Sequence, residues 1–198
     1  MRHECPVEIS TPELATKQDA KNGRLVGLLL EQGREMNPLA YHLHEIDWGV
    51  FATLTWDNDA ISSFYYSDAE QLRRKDFYWA MLLTCTKLNI RVRDLHWYYK
   101  TESGPNQRAH VNVLIGKRGL KDVTAFDFAR IMENVWTTGR YPKGLAKIEV
   151  FKPELHLNGI AYQAKNEFDS RGVPLPFFEE MSGPLKKELY TKSLIMKN

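Results

Sequence analysis

The sequence predicts an α+β fold, and three observations predict it. Runs rich in β-branched and aromatic residues alternate with stretches of helical spacing. Two of those stretches open on capping signals, and a turn dense in Gly, Pro and Asn joins two of the strands directly. The resulting order is βαββαβ, followed by one more helix. With short connections that order favours a four-stranded antiparallel sheet with two helices on one face, the ferredoxin-like split βαβ arrangement, whose other face is open for an active site.

WGVFATLTW (48–56) is the first strand, and DNDAISS breaks it. Ser67-Asp68-Ala69-Glu70 matches a capping box, and behind it Tyr78, Met81, Leu82, Cys85 and Leu88 recur at helical spacing to about Asn89. LHWYYKTE (95–102) is the second strand, SGPNQR the turn, and AHVNVLIG (109–116) the third strand. Thr124-x-x-Asp127 opens a helix with Phe128, Ile131, Met132 and Val135 on its apolar side. LAKIEVFK (145–152) is the fourth strand, and Asn158 caps the helix GIAYQAKNEF. A proline-containing tail ends in a short helix within PLKKELYTKSLIMKN. Three regions are therefore expected: an N-terminal arm and helical extension over 1–45, the central domain over 46–168, and a C-terminal extension over 169–198.

Composition is that of a globular chain, with 43% hydrophobic and 26% charged residues, and a net charge of +2 calls for no acidic partner by itself. Cys5 and Cys85 lie too far apart in sequence for a metal knuckle and fit a reducing compartment. The start lacks a signal-peptide core and no apolar run approaches about 18 residues, so a cytoplasmic protein without a membrane partner is expected.

Chemistry concentrates in the hairpin. His110 and Asn112 are two apart on an otherwise aliphatic strand, so they share a face. Glu102 ends the preceding strand and reaches the same place. One imidazole, one amide oxygen and one carboxylate suit Mg²⁺ or Mn²⁺ better than a closed zinc site. Farther on, Tyr162 and Lys165 stand at i and i+3 on a helix flank.

Together, FATLTW, the Glu-turn-His-x-Asn hairpin, the fourth strand and the Tyr-x-x-Lys helix resemble the HUH endonucleases. More narrowly they resemble the single-tyrosine rolling-circle replication initiators of phages, plasmids and small DNA viruses, over roughly residues 46–168. The resemblance implies site-specific nicking and joining of single-stranded DNA through a 5′-phosphotyrosyl intermediate. Tyr162 would be the nucleophile, with Lys165 beside it, and Glu102, His110 and Asn112 would hold Mg²⁺ or Mn²⁺. An origin hairpin, a host helicase and a polymerase would be the partners.

The pattern departs from the family where Asn112 replaces the second histidine. That leaves open a non-cleaving nucleic-acid-binding module, either a degenerate initiator or a domain similar to the RNA-recognition type. His42-Leu43-His44 matches the literal His-hydrophobic-His pattern but lacks a carboxylate-bearing hairpin before it. For DNA contact the candidates are Trp97 and Tyr99, which share one strand face, and the basic residues Arg108, Lys117 and Arg118.

Overall fold

The computed structural model describes residues 43, 45–57, 68–104, 107–138, 143–152, 160 and 178–195. Its elements are β1 (Trp48–Thr55), α1 (Ala69–Lys87), a 3-10 turn (Val92–Asp94), β2 (Trp97–Gly104), β3 (Gln107–Gly116), α2 (Ala125–Thr137), β4 (Ala146–Val150), β5 (Phe178–Met181) and α3 (Gly183–Ile195). The strands form one antiparallel open sheet in the order β4-β1-β3-β2-β5. The α+β class stands, but among the described residues the sheet has five strands instead of four. The fifth comes from the expected C-terminal extension, which pairs with β2.

Period-two alternation sorts the side chains. Val50, Ala52 and Leu54 of β1, Trp97 and Tyr99 of β2, and Val111, Val113 and Ile115 of β3 point to one face and are buried there under α1 and α2. Trp56 and Trp136 close this core edge to face at 5.2 Å, and both indole N–H groups donate, to Asp76 Oδ2 and to the Thr55 carbonyl. Burying each such ring without an orphan donor stabilises the fold by roughly 3 kcal/mol.

α1 differs from its expected form. Its N-cap is Asp68, whose side chain makes no capping bond. Glu70 instead turns under the helix to accept from Arg73 Nε at 3.0 Å, Tyr99 Oη at 3.1 Å and Thr101 Oγ1 at 2.9 Å. The buried stripe is Phe77, Ala80, Met81, Thr84 and Cys85, whereas Leu82, expected inside, is 49% exposed. At α2 the expectation holds: Thr124 Oγ1 accepts from the Asp127 amide at 3.0 Å, and Phe128, Met132 and Val135 are buried.

Two glycines are required by close approach. A Cβ on Gly119, whose φ is +94°, would stand 2.2 Å from the Asp94 carbonyl oxygen, and one on Gly144 would stand 2.3 Å from that of Thr55.

The second sheet face is not wholly open. Leu43, Ile46, Trp48, Tyr98, Leu114, Phe151, Ile160, Leu185 and Leu189 make a smaller cluster over one end of it, where α3 lies. The other end, at the start of β3 and the end of β2, carries polar groups.

Burial in the main core pushes the Cys85 thiol up to about 12 from a free value of 9.0. Folding therefore favours the thiol form. This contribution is complete below about pH 9 and disappears as pH rises toward about 12. We expect iodoacetamide at pH 8 to leave Cys85 unmodified in the native protein and to alkylate it after urea unfolding, as read by peptide mass mapping.

Candidate functional site

β3 runs through the middle of the sheet, so its outward residues gain neighbours from both sides. His110 lies opposite Glu102 of β2 and Thr55 of β1; Asn112 lies opposite Lys100 and Thr53. Directly opposed residues share a face. The structure therefore brings Glu102, His110 and Asn112 together on the face away from α1 and α2.

Glu102 forms the floor, at 2% exposure, and His110 the solvent-facing lip. His110 Nε2 lies 3.3 Å from Glu102 Oε2. Neighbouring ligands of an octahedral ion bound at about 2.1 Å stand about 3.0 Å apart, so the two donors are spaced to share a cation. A protonated imidazole paired with the carboxylate would give the same distance.

Asn112 is buried, and its Oδ1 accepts from Thr53 Oγ1 at 2.9 Å. Its Nδ2 has no hydrogen-bond partner among the described residues. A hydroxyl both donates and accepts, so a half-turn of the amide would seat Nδ2 on Thr53 and free the carbonyl oxygen to ligate. With the amide so turned, the freed Asn112 carbonyl oxygen and the Glu102 carboxylate, beside the His110 imidazole, make an oxygen-rich donor set that fits a hard divalent ion. Among the described residues, however, no three His, Cys, Asp or Glu side chains form a metal-holding group; the third member here is an amide.

Sequence reasoning missed three further members. Lys100 is 2% exposed, two residues from Glu102 on the same face and opposite Glu179 of β5. Tyr98, also on this face, donates its hydroxyl to Glu179 Oε2 at 2.7 Å. Burial, then the Glu179 and Glu102 carboxylates, hold the Tyr98 phenol far above its usual range. Tyr99 is raised likewise by burial and Glu70, and Tyr78 is pushed up to about 12 by burial and Glu180. None of these three tyrosines is poised as a nucleophile; each is held as a neutral donor. The period-two rule that joined His110 to Asn112 also joins Lys100 to Glu102, and that signal was available.

Other expected residues lie elsewhere. Trp97 and Tyr99 are not stacking platforms: both pack on Phe77 beneath α1, at ring-centroid distances of 5.4 and 5.0 Å, because theirs is the face the helix covers. Lys117 and Arg118 are exposed but follow the far end of β3, roughly 23 Å along the strand from His110. There they pair with Asp47 at 2.8 Å and Glu188 at 2.9 Å and do not gather at the site. His96 is buried with Nδ1 3.5 Å from Glu188. The Arg108 side chain, Tyr162, Lys165, His42 and His44 lie outside the described residues.

No helix among the described residues is long and apolar enough to cross a membrane. No family model, curated protein or solved structure matches the chain.

Proposed function

We propose that this chain is a metal-dependent, site-specific endonuclease that nicks and rejoins single-stranded DNA, initiating rolling-circle replication in the cytoplasm with a host helicase and polymerase. The observation that carries the reading is the meeting of Glu102, His110 and Asn112 on the central strands, on the face away from α1 and α2. Two others support it. β1 and β2 run parallel with β3 inserted between them and α1 connecting them, which favours the ferredoxin-like split arrangement within the larger sheet. Ile160 packs in the same cluster as Tyr98 and Leu114, on the sheet face that also carries Glu102, His110 and Asn112.

In this reading Glu102, His110 and Asn112 would hold Mg²⁺ or Mn²⁺, whose chemistry there would be Lewis-acid polarisation of the scissile phosphate. The Tyr162 phenol oxygen attacks phosphorus and gives up its proton. The bond to the 3′ oxygen breaks, that oxygen takes a proton, and a 5′-phosphotyrosyl link remains. Lys165 would act beside the phosphate or the tyrosine oxygen, where an ammonium favours the phenolate. The link keeps the phosphodiester energy, so the released 3′-hydroxyl can reverse the step without a nucleotide cofactor.

One observation favours the non-cleaving alternative: Thr53 already occupies the Asn112 carbonyl oxygen. Against it, the burial of Trp97 and Tyr99 removes the two aromatics a base-stacking module would use.

The test is a covalent-adduct assay with labelled, sequence-diverse single-stranded DNA and Mn²⁺. An SDS-resistant band is expected that disappears in Tyr162→Phe and in EDTA. Binding without any band, across all DNAs and metals, would sink the cleavage reading in favour of the binding module.

A further inference from the structure

β4 is an edge strand: β1 lies on one side of it, and no described strand lies on the other. Which of its backbone groups face outward follows from the pairing with β1. The Phe151 amide donates to the Gly49 carbonyl at 2.7 Å, and the Thr55 amide donates to the Leu145 carbonyl at 2.9 Å. Antiparallel ladders alternate bonded and non-bonded pairs, so the odd-numbered residues of β4 bond to β1. Ala146, Ile148 and Val150 therefore turn their N–H and C=O groups to the edge. Along that edge runs a groove of about 730 Å³, lined on the β4 side by Lys147, Ile148, Glu149 and Val150 and on the α2 side by Phe126 and Arg130. Phe126 is 64% exposed.

We infer that a second copy of this chain docks on the β4 edge, pairing β4 antiparallel with its own equivalent about a two-fold axis at Ile148. This inference is independent of the nuclease reading. In that register Ala146 pairs with Val150 of the partner, Ile148 pairs with itself, and every outward backbone group meets its complement. Lys147 then lies opposite the partner's Glu149, and Glu149 opposite the partner's Lys147. These are non-hydrogen-bonded positions, where side chains of an antiparallel pair approach most closely.

Charge also rejects the neighbouring registers. Shifting by two residues in one direction sets Lys147 against Lys147 across the axis; in the other it sets Glu149 against Glu149. A lone edge lysine ordinarily guards a sheet against pairing. Here the glutamate two residues on makes the edge complementary to itself and to no register but one. Within one copy Lys147 Nζ and Glu149 Oε2 already lie 3.4 Å apart, so their charges are matched before docking and exchange partners on it. The described strands of the two copies then form one continuous sheet of ten with β5 at both ends, and a two-fold contact closes on itself.

Sedimentation equilibrium of the full-length chain tests this. The wild type is expected to dimerise reversibly below about 0.5 mM. Lys147→Glu and Glu149→Lys each set like charges together twice, and each is expected to weaken the dimer about ten-fold or more. The double variant Lys147→Glu/Glu149→Lys restores opposite pairing with the signs reversed, and is expected to return to within about three-fold of the wild type. All three variants are checked for native circular dichroism. A wild type that stays monomeric at about 0.5 mM, a dimer indifferent to the single swaps, or a double variant as weak as either single one would overturn the inference.

Discussion

Replacing Glu102 with alanine is expected to reduce metal-dependent cleavage by at least about 100-fold and to weaken Mn²⁺ binding by a similar factor. Glu102 supplies the one anionic donor of the proposed triple, and its burial keeps water from standing in for it. Glu102→Gln, which keeps the shape, is expected to lose nearly as much, because charge more than volume holds a divalent ion. Mn²⁺ affinity is read directly from the electron paramagnetic resonance signal of the free ion, which separates a binding defect from a chemical one. If Glu102→Ala binds Mn²⁺ as the wild type does, the 3.3 Å contact with His110 is an ion pair and not half of a metal site.

The second large effect is on stability. Lys100 is buried beside Glu102 and across from Glu179, so its ammonium balances carboxylates that the sheet holds on the same face. Lys100→Met keeps most of the packing volume but removes that charge, and is expected to cost about 3–5 kcal/mol in urea denaturation. The double variant Lys100→Met/Glu102→Gln removes both charges together and is expected to recover more than half of the loss, giving a large coupling energy. Additive effects of the two substitutions would show that Lys100 answers to a different partner.

The reason the triple was legible is local. Side chains two apart in a strand share a face, and a tight hairpin fixes which residue of the partner strand lies opposite; both rules act within about fifteen residues of sequence. Trp97 and Tyr99 show where such rules stop. Alternation separates them from Tyr98 but is symmetric between the faces, and only the placement of Phe77 on α1 breaks that symmetry. Leu82 fails for a similar reason, since the helical phase is set by the contacts of Phe77, Met81 and Thr84 with the sheet and not by apolar character alone. Lys100 went unread because a lysine in a strand is ordinarily solvated. β5 is four residues long, and its place beside β2 depends on a pairing about eighty residues distant in sequence, which no local pattern announces.

That distant pairing imposes an order in time. β2 is complete when residue 104 has been made, yet its outer neighbour begins at residue 178. At about 5–20 residues per second, ribosomes would need roughly 4–15 s to supply it. Throughout that interval the strand carrying Lys100 and Glu102 would lack its described outer partner. The nascent chain could fold α1, α2 and the strands between them, but the buried Lys100 would wait for Glu179 on its flank. The flank of Lys100 is thus completed only after the hairpin, α2 and β4, and a chain arrested before β5 would hold the hairpin residues in a sheet still open to pairing with other nascent chains.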